Sequence, residues 1–211
     1  MINDWARSAV SRGLEGTGRR LWHLGITPNT ITVVGTLGST IAAVVLIPTG
    51  HLFAGAFIVW GFVMFDLLDG AVARARGKGS RFGGVLDSVS DRISDGAIFG
   101  AAAWWAGSTG QGVLAALALV CLVSGQVISY VKARADAAGL RADGGLVERA
   151  ERLILGLTGL GLTGLGVPYA VDVALWALAV GSVVTVGQRV LAVRRSAHDV
   201  GDVPDDPGVT P

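Results

Sequence analysis

The sequence predicts an all-α integral membrane protein, six transmembrane helices preceded by an N-terminal interfacial amphipathic helix, and three observations predict it. Mean hydropathy is +0.58. Of 211 residues, 51% are hydrophobic and only 16% charged, where soluble domains carry about a quarter charged residues. Apolar stretches near the ~20 residues needed to cross a hydrocarbon core recur at about 29–48, 52–73, 84–107, 111–131, 153–168 and 170–190. The connections at 48–52, 107–112 and 166–172 hold no Lys or Arg, so all 17 basic residues fall on the other side of these spans. By the positive-inside rule that side is the cytoplasm, and both termini lie there.

Residues 1–24 carry scattered arginines and lack the continuous apolar core and cleavage site of a secretory signal. Trp5, Val10, Leu14 and Leu21 instead suit a helix lying on the membrane, with Arg7, Arg12, Arg19 and Arg20 toward the headgroups. Thr27 before Pro28 is a helix start, with Thr as N-cap and Pro at the first helical position. The first span then runs to Pro48-Thr49-Gly50. The second continues past Asp66 toward Arg76 and leaves the membrane as a helix. A glycine-rich basic turn, GKGSRFGG, leads to the third, which ends at Trp104 and Trp105, residues suited to the far interface. The fourth also projects, through SYVKARADAAGL, and its Cys121 reads as a small buried hydrophobe. The fifth is short and contains GLTGLGLTGLG at 156–166, a repeat whose glycines lie about one turn apart and form a helix-packing surface; that it also lines a substrate path is the alternative. Residues 196–211 are acidic, contain prolines and lack periodicity, which predicts a disordered tail after a single membrane domain at 1–195. Nothing in the charge distribution suggests nucleic-acid binding.

Four aspartates interrupt this apolar pattern: Asp66 and Asp69 near the end of the second span, Asp87 and Asp91 near the start of the third. An ionised carboxylate facing lipid costs at least ~3 kcal/mol, so all four must face the protein interior or a wet cavity. Spacings of i, i+3 and i, i+4 put each pair on one face of its helix, and the short turn between the helices brings the pairs to one depth. Converging carboxylates repel and protonate unless cations hold them. Oxygen donors without His or Cys suit magnesium, calcium or manganese rather than zinc. Magnesium commonly completes its shell with water or phosphate oxygens, which points to a phosphate or pyrophosphate substrate. Two other readings stay open on the residues alone: a salt-bridge cluster with Arg74, Arg76, Arg81 and Arg92, and an ion or proton pathway. Against the pathway, all four acids sit at one end of their spans, and Asp172 is isolated near the other.

The pattern Asp66, Asp69-Gly70, Ala73-Arg74, Gly83, Asp87, Asp91 resembles the signature of the CDP-alcohol phosphatidyltransferases, with every fixed position occupied. The resemblance implies a homodimer whose protomers each hold a site, and a reaction in which an alcohol displaces CMP from a CDP-linked lipid. It implies two Mg2+ ions per site, or Mn2+, held by Asp66, Asp69, Asp87 and Asp91, with Asp66 and Asp87 bridging and Asp91 also the catalytic general base. It further implies contacts to CDP-diacylglycerol from Gly70, where the nucleotide approaches closely, from Arg74 at the pyrophosphate, and from Asn29, Thr32 and Ser80. Asn29 and Thr32 would equally serve to cap the first span. Asp95, one turn beyond Asp91, reads as an acid that packs or that supports the ligands from behind, rather than as a ligand itself.

The acceptor alcohol is sought among the basic residues. Lys132 and Arg134 end the fourth span, Arg149 and Arg152 begin the fifth, and Arg189 ends the sixth, all at the level of the aspartates. Such a cluster suits an anionic acceptor, because Arg and Lys make charge-assisted bonds to phosphate; snorkelling and pairing with Glu148 or Glu151 are the plainer account. The stretches SYVKARADAAGLRADGG and VERAERLI are similar to the actinobacterial branch of the family that makes phosphatidylinositol phosphate from CDP-diacylglycerol and inositol 1-phosphate. That similarity implies a bacterial inner-membrane enzyme with its site facing the cytoplasm. It implies that Lys132, Arg152 and Arg189 bind the acceptor's phosphate, with Arg134 and Arg149 behind them. The alternatives are a phosphatidylglycerophosphate synthase using glycerol 3-phosphate and, in a different class, a metal-dependent membrane transporter.

Overall fold

The computed structural model of the chain describes residues 27–75 and 80–201, with side chains throughout except within 65–75. These residues form six helices: α1 (Pro28–Leu46), α2 (Leu52–Ala75), α3 (Arg81–Ser108), α4 (Gly112–Ala137), α5 (Arg149–Gly164) and α6 (Ala170–Asp199). The expected interfacial helix at 1–24 lies outside the described residues.

Local chemistry sets the helix starts. Thr27 is extended, and its Oγ1 accepts a hydrogen bond from the Thr30 N–H at 3.2 Å, with Pro28 in the first turn where its missing N–H costs nothing. Ser80 caps α3 in the same way, its Oγ accepting from the Gly83 N–H at 2.9 Å. The start of α5 is a capping box, in which the Glu148 N–H donates to Glu151 Oε2 at 3.0 Å.

Each helix packs against two others in the order α1, α2, α5, α6, α4, α3 and back to α1, which makes a closed ring. Its interior is apolar and drawn from all six helices: Ala43, Val59, Phe99, Cys121, Leu160 and Leu178 are each at most 2% exposed. The expected packing role of the α5 repeat is visible at its glycines. A Cβ on Gly164 would collide with the Phe53 backbone of α2, and one on Gly159 would collide with Ala174 of α6. Only glycine lets α5 sit this close to both neighbours.

The outer face is also apolar. Leu37, Ile41, Phe57, Trp104, Val123 and Val183 are all exposed, far beyond the scattered apolar residues normal on a soluble surface. Among the described residues, α1, α4 and α6 are long and apolar enough to cross a membrane, and Leu52–Met64 of α2 is a shorter apolar stretch. The charged residues of α3 and the 16-residue length of α5 keep those two below the same measure.

Several boundaries differ from the sequence expectation. The fifth helix begins at Arg149 rather than near 153 because the capping box starts it there. Trp105, expected at an interface with Trp104, is only 9% exposed and belongs to the core. Helix α6 carries through Ser196–Asp199, the first residues assigned to the disordered tail, and Ser196 Oγ accepts a hydrogen bond from the Arg141 N–H at 3.0 Å. Residues 202–211 lie outside the described residues.

That last contact belongs to a longer seam. Between α4 and α5 the chain runs down the side of α6: Arg141 meets Ser196, the Gly144 carbonyl accepts from Arg189 Nε at 3.1 Å, the Leu146 N–H donates to Gln188, and the Val147 N–H donates to Thr185 Oγ1 at 2.9 Å. Gly145, at φ 149°, lies against the Thr185 side chain, where a Cβ would collide.

Candidate active site

The alternating helix directions place the N-termini of α1, α3 and α5 and the C-termini of α2, α4 and α6 at one end of the ring. All the candidate residues lie at this end. Asp87, Asp91 and Asp95 follow at intervals of four along α3 and therefore descend one face. Asp87 and Asp91 are half-buried, while Asp95 is buried at 3% exposure.

Facing them from α5 are Arg149 and Arg152, themselves one turn apart. Arg149 spans two carboxylates: Nη1 stands 2.8 Å from Asp91 Oδ1 and Nε 3.4 Å from Asp95 Oδ1. Arg152 is only 1% exposed, and its Nη2 donates to Asp95 Oδ2 at 2.9 Å. Its guanidinium lies on the α4 backbone, where a Cβ on Gly125 would be 3.1 Å from Nε. Arg92 adds a longer contact to Asp91 at 3.6 Å. The carboxylates and cations interleave, so each buried charge has an opposite charge beside it.

The other basic candidates surround the start of α5. Arg189 is buried, and its nitrogens donate to the Ile128 and Gly144 carbonyls and to Glu148 Oε1. Lys132 is half-buried and bonds Asp143 at 2.7 Å, with Asp136 at 3.4 Å. Arg134 is exposed on the last turn of α4. Glu148 thus pairs with Arg189 and Glu151 with the Glu148 backbone, rather than either with Arg149 or Arg152.

One turn before Asp87 on α3, residues expected to meet the nucleotide come together. A Cβ on Gly83 would stand 3.0 Å from Ser80 Oγ and 3.2 Å from Asn29 Oδ1, so the starts of α1 and α3 abut around this glycine. Thr32 is buried, and its hydroxyl donates to the Pro28 carbonyl at 3.1 Å. Gly70 lies within the helical backbone of α2, but the side chains of Asp66, Asp69 and Arg74 lie outside the described residues.

The donor chemistry fits a hard divalent cation. Asp87 and Asp91 offer carboxylate oxygens on one helix face, and the Cys121 thiol is buried in the core away from them. Among the described residues no group of three acids, His or Cys forms a metal cluster. The side chains of the α2 pair expected to complete a ligand set, Asp66 and Asp69, lie outside the described residues.

Sequence reasoning missed the pairing of Asp95 with Arg149 and Arg152. The available signal was the matched spacing, three acids at i, i+4, i+8 and two arginines at i, i+3, but nothing in the sequence says that α3 and α5 face each other.

The comparisons with known proteins bear on all of this. The profile of the CDP-alcohol phosphatidyltransferase family matches residues 25–187. A phosphatidylinositol phosphate synthase of Mycobacteroides abscessus is 56% identical over 178 residues, covering 83% of this chain and 81% of that protein. One of Corynebacterium glutamicum is 52% identical over 198 residues, covering 93% and 90%. Among solved structures, the Mycobacterium tuberculosis phosphatidylinositol phosphate synthase with CDP-DAG bound superposes with a TM-score of 0.85 at 48% identity, over 95% of this chain and 99% of that one. The same enzyme in complex with manganese and citrate gives 0.82 at 46% identity, over 94% and 93%.

Proposed function

Since the chain belongs to the CDP-alcohol phosphatidyltransferase family, we propose that it is the enzyme that joins inositol 1-phosphate (1D-myo-inositol 3-phosphate) to CDP-diacylglycerol, giving phosphatidylinositol phosphate and CMP. The observation that carries this reading is the identity of 50% and more to phosphatidylinositol phosphate synthases along most of the chain. The arginines of α5 beside the α3 carboxylates supply the chemistry an anionic alcohol needs.

An inositol hydroxyl oxygen attacks the phosphorus that carries diacylglycerol. That P–O bond forms as the bond to the CMP oxygen breaks, and CMP leaves with the electron pair. Asp91 takes the hydroxyl proton, a role that suits a half-buried carboxylate on the α3 face beside Arg149. Asp66, Asp69, Asp87 and Asp91 would hold two divalent ions, Mg2+ or Mn2+, which when bound neutralise charge on the pyrophosphate and the departing CMP. Manganese in the related structure supports the choice of a hard cation. Gly70, Asn29, Thr32 and Ser80 bound the cytidine nucleotide around the close approach at Gly83, and Arg74 meets the pyrophosphate. Lys132, Arg152 and Arg189, with Arg134 and Arg149 behind them, are the acceptor's phosphate site.

The apolar helices and the family support a multi-pass membrane protein. We read all six helices as spanning, residues 1–24 as an interfacial helix, and residues 1–195 as one membrane domain in a bacterial inner membrane with the site toward the cytoplasm. The bias of basic residues supports that orientation. The protein would act as a homodimer, and its lipid substrate would use the apolar groove between α2 and α5, about 360 Å3, lined by Phe53, Phe57, Trp60 and Ile154.

Purified protein with magnesium and CDP-diacylglycerol is expected to release CMP when inositol phosphate is supplied, and not with inositol or glycerol 3-phosphate. Chelation should stop release, and Mg2+ or Mn2+ should restore it. Release with glycerol 3-phosphate alone would keep the transfer chemistry and sink the acceptor; no release with any alcohol would sink both.

A further inference from the structure

Arg152 is the most deeply buried cation among the described residues, and one carboxylate, Asp95, is the anion that meets it. The same carboxylate reaches Arg149, whose other edge holds Asp91. Asp95 is therefore the hub through which a buried arginine, a half-exposed arginine and a half-buried carboxylate are tied into one chain: Arg152 to Asp95, Asp95 to Arg149, Arg149 to Asp91. Gly125 closes the arrangement from α4, where a Cβ would stand 3.1 Å from Arg152 Nε and press on the guanidinium. Arg152 Nε and Nη1 are buried without a hydrogen-bond partner among the described residues, although buried donors are normally satisfied. Asp95 thus engages one guanidinium nitrogen, and Nε and Nη1 find no partner among the described residues.

We propose that Asp95 is a positioning residue for the acceptor end of the site: it sets Arg152 and Arg149 in fixed relation to Asp91, so that the acceptor's phosphate and its attacking hydroxyl are held in one register. This rests on the reading of the preceding subsection. Asp95 touches neither substrate in this role. A carboxylate kept only for stability would lower the apparent kcat through the amount of folded enzyme and leave both KM values unchanged, whereas a positioning carboxylate raises the KM for the alcohol.

The test is steady-state CMP release by the full-length protein, varying CDP-diacylglycerol and inositol phosphate in turn. Asp95→Asn is expected to raise KM for inositol phosphate roughly tenfold or more while leaving that for CDP-diacylglycerol within about twofold, and Asp95→Glu to recover part of the loss. Adding Arg152→Gln to Asp95→Asn should cost little more, because residues that act through one contact are not additive. Gly125→Ala keeps every charge and pushes only on the guanidinium, so it should raise the same constant by a smaller factor, and it decides the matter if Asp95→Asn does not fold. An unchanged KM for inositol phosphate in folded Asp95→Asn, or in Gly125→Ala when the former is lost, overturns the proposal while wild-type release with inositol phosphate keeps the parent reading intact. Wild-type release only with another alcohol overturns both.

Discussion

Asp91 is held on the α3 face by a guanidinium 2.8 Å away, with a second at 3.6 Å, so its carboxylate has a fixed direction. General bases contribute about 10²–10⁴-fold to rate. Asp91→Asn keeps the size and the hydrogen-bonding oxygen but cannot take a proton, and it should lower CMP release to the ~1% level or below; retention of full turnover would remove Asp91 from the role of base. Asp143 offers a different residue-scale test. Its hydrogen bond to the Lys132 ammonium holds its carboxyl below the usual range. A carboxyl with a depressed folded pKa stabilises above its unfolded pKa, ~3.9, and that contribution is lost as pH falls through the folded value. The tie between α4 and the 141–147 segment should therefore persist from neutral pH to about pH 4. Amide exchange of that segment, corrected for its intrinsic pH dependence, should accelerate only below that pH; acceleration beginning near pH 6 would assign the seam to another group.

At the scale of elements, α5 is the most constrained. It is short, and its glycines face α2 on one side and α6 on the other. Gly164→Val places a branched side chain against the Phe53 backbone, which cannot move aside as a flexible side chain can, so a loss of about 1–3 kcal/mol is expected. Gly61, with no atom within 4 Å of its would-be Cβ, is the matched control, and Gly61→Val should leave the melting temperature in detergent nearly unchanged. Equal effects at both positions would mean that helix propensity rather than packing dominates. The elements were largely legible from the sequence. Apolar runs, the Thr27-Pro28 start and the packing glycines all act within one helix, and the helix lengths follow from them. The site was legible where spacing on one helix suffices, as for Asp87 and Asp91, and where Asn29 and Ser80 flank neighbouring helix starts. What escaped was tertiary: Arg152 meeting Asp95 depends on α3 and α5 facing each other across the ring, and Arg189 meeting backbone carbonyls depends on the path of the 138–148 connection. A periodicity within one segment carries no information about which other segment it faces.

At the scale of the whole molecule, the candidate residues and the basic ends lie together, and the turns at the opposite end close on Gly50, Gly110 and Gly166 at positive φ with no basic residue among them. In intact cells, a membrane-impermeant maleimide should label Gln111→Cys directly and Arg195→Cys only after permeabilisation, with the buried Cys121 silent in both; the reverse pattern would invert the topology. The seam along α6 has a further consequence. From Ser196 to Thr185 the 141–147 segment descends ~16 Å of helix, so α5 starts well below the rim made by the ends of α4 and α6. The molecule is a cup with one low wall. On the proposed reading, a water-soluble phosphorylated alcohol would reach the depth of Asp91 without leaving water, while the acyl chains of CDP-diacylglycerol would stay in lipid along the groove between α2 and α5. Neither part would have to change phase, and the boundary between the two phases would be carried inward to the carboxylates.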